Sequence, residues 1–262
     1  MRRQVLTTLG IVALCMASYA ATFMQVKTDD GKTVSFDVDH VTEVVFDTTS
    51  SDHEYVDLGL PSGTLWATCN IGATKPEEFG DYFAWGETEP KENYNDETYK
   101  WVVESRVFYS KYIEKTGPFV LLAEDDAVVA NWGNGWRMPT NEEQRELVEE
   151  CYIVWTDNYN NSGVSGIMIF KTKFLSHKGV FNESLLENYN LSDAHIFLPA
   201  ASGYDGYNID KVGVMGIYWS SSLCEEFDLF AFRLYFVAKG VLWNDPTGRN
   251  FGFPIRAVRS KK

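Results

Sequence analysis

Nucleophilic catalysis requires a cysteine or serine within reach of a histidine base, and the sequence contains these residue types without a recognisable arrangement of them. None of the four histidines stands in a catalytic motif: His40, His53, His177 and His195. The serine run 220–222 lacks the Gly-x-Ser-x-Gly turn that exposes a nucleophile, so it is typical of strand and turn hydroxyls. Asp81 and Glu87 suit a glycosidase pair in type, but carboxylates at this spacing on a strand need not converge. We therefore expect no catalytic residue and a protein that is not an enzyme.

Two oxygen-rich segments are the candidates for a cation site, AEDDA at 123–127 and WNDP at 243–246. Neither has the spacing of a known calcium loop, and the cysteine spacing matches no zinc site. Turn and helix-capping roles are favoured for these acidic residues. The sequence thus predicts neither a metal nor another cofactor.

The first twenty residues, MRRQVLTTLGIVALCMASYA, have the layout of a secretory signal peptide. A short basic start is followed by an apolar run at 5–17 and a small-x-small end at 18–20. The apolar run is shorter than the roughly 20 residues that a membrane-spanning helix needs, so a membrane anchor is less favoured. We expect a signal peptide at 1–20, no transmembrane segment after its cleavage, and an exported protein that is periplasmic, secreted or at the cell surface.

The chain is acidic, with a net charge of −14. Removing Arg2 and Arg3 leaves 21 basic against 37 acidic residues, a net charge of −16. Such a surface repels phosphate backbones and anionic lipid headgroups, so we expect no nucleic acid partner. Solubility explains the acidic composition without a role in cation binding.

Residues 21–47 predict a small β-hairpin unit, because strand-type runs lie on both sides of Asp30-Gly31 and a third run follows at 44–46. This pattern resembles a short module that follows the signal peptide in many Bacteroidetes surface proteins. Its role stays open between a spacer or docking strand and a piece of sheet packed on the main domain. The polar segment 48–54 lacks hydrophobic periodicity and is predicted to be a linker.

Residues 55–260 show no repeat and no second linker, so we expect one domain. Its clearest helix is predicted at 141–151, because Thr140 and Glu143 have the spacing of a capping box. A shorter helix is predicted at 124–131. The remaining elements are short strand-type runs at 64–71, 82–86, 166–170, 196–200, 218–223, 230–237, 240–243 and 254–258.

Five segments of this domain carry a resemblance: EYVDLGLPSGTLWATCNIGATKPEEFGDYFAWGE (54–87), EDDAVVANWGNGWRMPTNEEQRELVEEC (124–151), IFLPAAS (196–202), YWSSSL (218–223) and FGFPIRAVR (251–259). Their order resembles the Fibrobacter succinogenes major paralogous domain family, common in secreted and surface proteins of Bacteroidetes. More distantly, GWRMPTNEEQRELV and FPIRAVR look like signatures of the formylglycine-generating enzyme group. The resemblance implies an α+β, C-type lectin-like domain with a twisted antiparallel sheet, few helices and long loops.

The resemblance also assigns roles to single residues. It implies that Trp136 packs beneath the helix that follows Pro139, and that Arg137 donates hydrogen bonds to loop carbonyls. Formylglycine-generating enzymes use a cysteine pair in their C-terminal part, where this chain has only Cys224. Oxidase chemistry is therefore not expected.

A binding surface is implied near the C-terminal strands, where some members of the broad fold carry hypervariable positions. The corresponding segment is EEFDLFAFRLYFVAKGVLWNDPTGRNFG, 225–252, in which Ala231, Leu234 and Phe236 match a recurring A..L.F pattern and are predicted core. The predicted ligand-binding residues are Phe232, Arg233, Tyr235, Trp243, Asn244, Arg249 and Asn250. We expect the last four of them, from Trp243 onward, to be partly exposed and to cluster.

The predicted function is that of an exported, non-catalytic binding domain with a glycan or protein ligand at the bacterial envelope. Long loops on a rigid sheet favour recognition, and aromatic side chains beside Asn, Asp and Arg suit sugar faces and protein epitopes alike. Two alternatives remain: a structural subunit of a surface complex, and an enzyme of the formylglycine-generating type.

Three cysteines remain after signal cleavage, Cys69, Cys151 and Cys224, so at most one internal disulfide is possible. The alternation in WATCNIG places Cys69 on one face with Ala67 and Ile71, and Cys151 lies on the apolar face of the predicted helix. A Cys69–Cys151 disulfide and two buried thiols both fit this placement.

Overall fold

The computed structural model describes residues 23–27, 33–38, 53–103, 109–113, 119–133 and 135–261. The chain divides into two compact units, 1–48 and 49–262. The predicted signal peptide at 1–20 and the strand run at 44–46 lie outside the described residues, as does the predicted linker apart from His53 and Glu54.

The first unit contains an antiparallel hairpin. Strand β1 (Phe23–Lys27) pairs with β2 (Thr33–Asp37) on either side of the Asp30-Gly31 segment. Gln25 and Ser35 stand opposite each other and are both exposed. Because side chains alternate across a strand, these polar residues mark one solvent-facing side of the hairpin.

The second unit is an α+β domain built mainly from strands. Its strands are β3 (Tyr55–Val56), β4 (Thr64–Asn70), β5 (Tyr152–Thr156), β6 (Gly166–Phe170), β7 (His195–Pro199), β8 (Tyr204–Asp205), β9 (Asn208–Ile209), β10 (Met215–Leu223), β11 (Phe230–Val237), β12 (Gly240–Gly248) and β13 (Arg256–Ser260). Its α-helices are α1 (Ala127–Trp132) and α2 (Asn141–Glu150), and its 3-10 helices are Ala123–Asp125, Tyr159–Asn161, Leu175–His177 and Glu183–Asn188.

The named strands pair only in antiparallel fashion within the described ranges. Three sheets have the strand orders β13-β4-β3, β5-β6-β7 and β10-β11-β12, and β8 pairs with β9. The coarse fold prediction, an α+β domain of antiparallel sheets with few helices, is therefore confirmed.

The sheet β10-β11-β12 separates two apolar clusters. Trp219 packs in one cluster with Trp85 and Phe253, whereas its neighbour Tyr218 packs in the other with Trp66. Successive side chains of a strand point to opposite faces, so β10 supplies both clusters. The predicted core positions of β11 are buried, as expected: Ala231, Leu234 and Phe236.

Helix α2 begins where the capping box predicts. The Thr140 hydroxyl accepts a hydrogen bond from the Glu143 amide at 3.2 Å, and the Glu143 carboxylate accepts one from the Thr140 amide at 2.9 Å. The same carboxylate accepts two hydrogen bonds of 2.6 Å from the Arg137 guanidinium, which also donates to the Met138 carbonyl. The expected hydrogen bond from Arg137 to a loop carbonyl is therefore present, but a two-point ion pair with Glu143, which was not predicted, takes its other donors.

Replacing Glu143 with Gln should remove a pH-dependent part of the stability. Burial raises the pKa of the Glu143 carboxyl, but hydrogen bonds from Arg137 and Thr140 outweigh burial and hold that pKa below its ordinary value of 4.5. A depressed folded-state pKa gives stabilisation that is complete above the unfolded-state pKa and is lost as the pH falls through the folded-state pKa. Urea unfolding from about pH 3 to pH 7 should therefore show a flatter stability profile for Glu143→Gln than for the wild type. Glu149→Gln, exposed on the same helix, is the control, and parallel profiles for all three proteins would contradict the prediction.

Two buried arginines have the role that was predicted for Arg137. Both side chains are almost fully shielded from solvent, and both link segments that are distant in the sequence. Arg256 donates hydrogen bonds to the Asn70 side chain and to the carbonyls of Ala67, Thr68 and Phe197. Arg249 donates to the Tyr99 hydroxyl and to the carbonyls of Lys111, Tyr112 and Asp228.

Two predicted elements differ from the observed ones. The predicted strand 82–86 is reduced to a single bridge between Phe83 and Phe253. The predicted helix 124–131 is divided into a 3-10 turn and α1, because the Asp126 side chain caps α1 by accepting from the amides of Val128 and Val129.

All three described cysteines are free thiols, so the Cys69–Cys151 disulfide is excluded. The two thiols do not meet because Cys69 and Cys151 lie on opposite sides of β4. Ala67, on the same face as Cys69, packs in the cluster of Trp85, whereas Cys151 packs in the cluster of Trp66. Burial raises the pKa of the Cys151 thiol, which stays protonated and unreactive.

Candidate functional site

The predicted ligand-binding residues lie in different environments. Arg233 and Tyr235 stand opposite Trp219 and Ile217 in the β10–β11 register, so they share one face of that sheet. Trp243 packs against the apolar cluster on the other face, with the Arg145 guanidinium 5.9 Å from its ring centre. Trp243 faces the side of the sheet opposite to Arg233 and Tyr235 because side chains alternate along β12 and because the β11–β12 register shifts between Arg233 and Tyr235.

Arg249 is fully buried, so the expectation that it is exposed is wrong. Its guanidinium is enclosed by hydrogen-bond acceptors and lies 4.8 Å from the Trp85 ring centre. Asn244 is exposed, and Phe232 and Asn250 are half-buried. The predicted clustering of Trp243 and Arg249 on one binding surface is therefore wrong, because Trp243 packs beneath α2 and Arg249 lies in the core.

A concave surface with a coherent composition lies elsewhere in the domain. We call it the tyrosine groove, and it encloses about 560 Å³. Four of its residues are tyrosines, and two exposed carboxylates stand among them. Its lining residues are Gly80, Asp81, Tyr82, Pro90, Lys91, Glu92, Tyr94, Tyr204 and Tyr207.

The β8–β9 hairpin that carries Tyr204 and Tyr207 is held from two sides. Tyr204 exchanges two backbone hydrogen bonds with Gly252, at 2.8 and 3.0 Å. Gly206 exchanges two with Tyr94, at 2.7 and 2.9 Å. A Cβ atom at Gly252 would lie 2.6 Å from the Tyr94 ring, so this approach requires glycine. The tip of the hairpin is thus fixed to the rest of the domain.

The tyrosine rings contact one another. Tyr204 meets Tyr82 edge to face at 4.9 Å and stacks on Tyr94 at 5.4 Å between ring centres. The Tyr82 hydroxyl donates to the Ala201 carbonyl, and the Tyr94 hydroxyl donates to the Tyr82 carbonyl. Tyr207 is 70% exposed, so most of its side chain is open to a ligand. The groove therefore combines a fixed aromatic wall with one projecting ring.

The charges of the groove are mainly negative. Asp81 and Glu92 are exposed, and neither forms an ion pair with another described residue. The Lys91 ammonium is 2.8 Å from Glu87 and also donates to the Thr98 carbonyl. Burial raises the pKa of Tyr94 to about 12, and burial also raises the pKa of Tyr82, so both phenols stay neutral at physiological pH.

A second groove of about 390 Å³ adjoins the first through Tyr204, which lines both. Its walls include Arg233, one of the predicted ligand-binding residues. The Arg233 guanidinium is ion-paired with Asp245 at 2.7 Å and lies 5.4 Å from the Phe253 ring centre. Arg233 is thus held in place by protein contacts, which leaves Tyr204 as the link between the two grooves.

The serine and histidine side chains considered for catalysis make hydrogen bonds to backbone carbonyls and to tyrosine hydroxyls. Ser220 and Ser221 donate to the carbonyls of Phe232 and Pro139, which confirms the interpretation of this run as strand hydroxyls. His177 and His195 make hydrogen bonds to the hydroxyls of Tyr189 and Tyr159. Among the described residues, no group of three or more His, Cys, Asp and Glu side chains is arranged to hold a metal ion.

In the described ranges, no helix has the length and apolar character needed to cross a membrane.

The tyrosine groove was not predicted from the sequence. Its two halves, 80–94 and 204–207, are more than a hundred residues apart, so no local pattern joins them. The signal that was available is YDGY at 204–207, a turn-forming Asp-Gly pair between two tyrosines. Such a turn predicts two aromatic rings at an exposed hairpin tip.

Comparison with known proteins found no family model, no curated protein and no solved structure that matches this chain.

Proposed function

We propose that this protein is an exported, non-catalytic binding domain that holds a glycan in the tyrosine groove. The observation that carries the proposal is the groove's composition: four tyrosines and two exposed carboxylates on one concave surface. Sugar rings present apolar C–H faces that pack on aromatic rings, and their hydroxyls donate to carboxylates. A groove with aromatic walls and a few polar groups is the usual form of a small-molecule site.

The rigidity of the groove supports binding. Tyr204 and Gly206 are each fixed by two backbone hydrogen bonds to distant segments, so the aromatic wall exists before a ligand arrives. A site that is already ordered loses less conformational entropy on binding. The tyrosine groove therefore suits recognition better than a surface formed by mobile loops.

The wider assignment rests on the sequence. The signal-peptide layout of residues 1–20 supports export, and the five ordered segments support a C-type lectin-like domain of the Fibrobacter succinogenes major paralogous type. In this proposal the groove lies on a domain displayed at the bacterial envelope.

Tyr207→Ala is the test of the proposed glycan site. Because Tyr207 is 70% exposed, its removal should leave the free energy of unfolding within about 0.5 kcal/mol of the wild type. Loss of the projecting ring should weaken glycan binding at least about tenfold, equivalent to about 1.4 kcal/mol. A glycan array followed by calorimetry on its hits measures the effect. Phe174→Ala removes a ring that is 56% exposed outside the groove and should bind like the wild type. Equal binding by all three proteins would contradict the proposal.

A protein partner is the second candidate, favoured by one apolar surface. Backbone hydrogen bonds from Leu223 to Phe119 and from Cys224 to Phe230 bring two chain segments side by side. Each segment exposes large apolar side chains, which is typical of an interaction surface. They are Phe119, Val120, Leu122, Phe227 and Phe230. If Phe227→Asp abolishes capture of an envelope protein that Tyr207→Ala retains, this second function is supported.

A further inference from the structure

We propose that the tyrosine groove selects a glycan that carries a protonated amine, such as an amino sugar without an N-acetyl group. The inference rests on the proposed function, because it concerns the ligand of the same groove. It is carried by the charges that line the groove, by the open tyrosine rings and by an ammonium that the protein itself already holds in the same way.

The charges favour a cation. Asp81 and Glu92 line the groove as exposed carboxylates with no ion-pair partner among the residues that the structure describes. Lys91 is the basic residue of the lining, and its ammonium is neutralised by Glu87 at 2.8 Å. The wider surface has the same sign, since the chain has a net charge of −14. A ligand that enters therefore meets uncompensated negative charge, which attracts an ammonium and repels a uronic acid or a sulfate.

The aromatic rings add to this preference. The faces of tyrosine rings carry partial negative charge, so an ammonium placed over them is attracted, and desolvation in a concave site strengthens the attraction. Tyr82 and Tyr204 are half-buried in the wall, and Tyr207 projects beside them. A neutral sugar gains the packing of its C–H face on these rings and hydrogen bonds from its hydroxyls to the carboxylates, whereas an aminated sugar gains charge attraction in addition.

Lys91 shows this chemistry within the fold. Its Nζ atom lies 5.6 Å from the centre of the Tyr94 ring and 5.8 Å from that of Tyr99. The same atom is ion-paired with Glu87. One wall of the groove thus already binds an ammonium through tyrosine faces and a carboxylate. The open part of the groove has the same residue types, three tyrosines beside two carboxylates: Tyr82, Tyr204, Tyr207, Asp81 and Glu92. There the ligand would supply the ammonium.

The test compares three oligosaccharides of equal length and linkage: β-1,4-linked tetramers of glucosamine, N-acetylglucosamine and glucose. Each is titrated into the protein at a pH at which the glucosamine amine is protonated, in low salt. We expect the glucosamine tetramer to bind at least about tenfold more tightly than the other two. This advantage should shrink when salt is raised, because screening weakens charge attraction, and when the pH is raised until the amine is neutral.

The double variant Asp81→Asn/Glu92→Gln separates charge from shape. It should reduce the advantage of the glucosamine tetramer to less than about twofold, because the amide oxygens of Asn and Gln still accept hydrogen bonds from sugar hydroxyls but carry no charge. Glu225→Gln/Glu226→Gln removes the same charge from exposed residues that do not line the groove, and it should retain the wild-type preference. Equal binding of the aminated and N-acetylated tetramers by the wild type would overturn this inference and leave the glycan proposal standing. Absence of binding by all three tetramers would overturn both.

Discussion

Arg256→Met is expected to lower the free energy of unfolding by about 4 kcal/mol, which is a large effect for a single substitution. Arg256 is 1% exposed. Its guanidinium donates four hydrogen bonds of 2.8 to 3.1 Å that reach β4 and β7. Met fills much of the same volume but donates nothing, so the carbonyls of Ala67 and Phe197 lose a partner while remaining buried, and the Thr68 carbonyl loses one at a half-buried position. Replacing a buried charge is harmless only when its partners are replaced as well.

Urea unfolding measures this effect, with Arg145→Met as the matched control. Arg145 pairs with Glu142 and Glu149 on the surface of α2, and exposed ion pairs of this kind contribute about 0.5 kcal/mol. We therefore expect Arg145→Met to lie within about 1 kcal/mol of the wild type. Comparable losses in the two variants would mean that the hydrogen bonds of Arg256 add nothing beyond the packing of its aliphatic part.

Trp136→Ala should cost about 3 to 5 kcal/mol of stability, in keeping with the loss of a large buried aromatic side chain. Trp136 is 5% exposed and meets Trp132 edge to face at 5.3 Å. The Arg259 guanidinium lies 5.2 Å from the centre of its ring. The truncated side chain would leave a cavity next to Trp132, and the neighbouring backbone is held by the two hydrogen bonds between Arg137 and Val258, which limits collapse.

Trp243→Ala is the comparison variant for Trp136→Ala. Sequence reasoning expects Trp243 to be a ligand-binding residue whose removal leaves the melting temperature nearly unchanged. Because its ring packs on the cluster that contains Leu147, we instead expect a loss of about 1 to 2 kcal/mol. Thermal and urea unfolding of both variants check the order. A loss of stability in Trp243→Ala as large as that in Trp136→Ala would contradict this expectation.

Features set by neighbouring residues could be predicted from the sequence. The start of α2 depends on Thr140 and Glu143, three residues apart, and the capping box forms as expected. The core positions of β11 were predicted from the A..L.F pattern, and Ala231, Leu234 and Phe236 are buried, with Ala231 on one face of the sheet and the other two on the opposite face. In these cases the interaction that decides the structure lies within one turn or one strand.

Features set by distant contacts could not be predicted in this way. Arg137 and Arg249 both follow glycine-containing segments, yet Arg137 pairs with Glu143 of α2, whereas Arg249 is enclosed by the Tyr99 hydroxyl and by carbonyls of two separate segments. Nothing near Arg249 in the sequence shows that Tyr99 and Tyr112 surround it. The tyrosine groove depends in the same way on contacts between Tyr94 and the hairpin at 204–209. Burial of an arginine and convergence of aromatic residues are properties of the assembled fold.

The pairing of β4 with β13 bears on how the domain reaches its structure during synthesis. Thr64 pairs with Ser260, and Arg256 reaches Asn70 across 186 residues of chain. Contacts of such long sequence separation slow folding, because the loop must close before the contacts form. Until the ribosome has synthesised β13, one edge of β4 is therefore unpaired. The carbonyls that accept hydrogen bonds from Arg256 also lack that partner. If the protein is exported as we propose, this delay is an advantage, since the chain stays open to translocation until β13 has been synthesised.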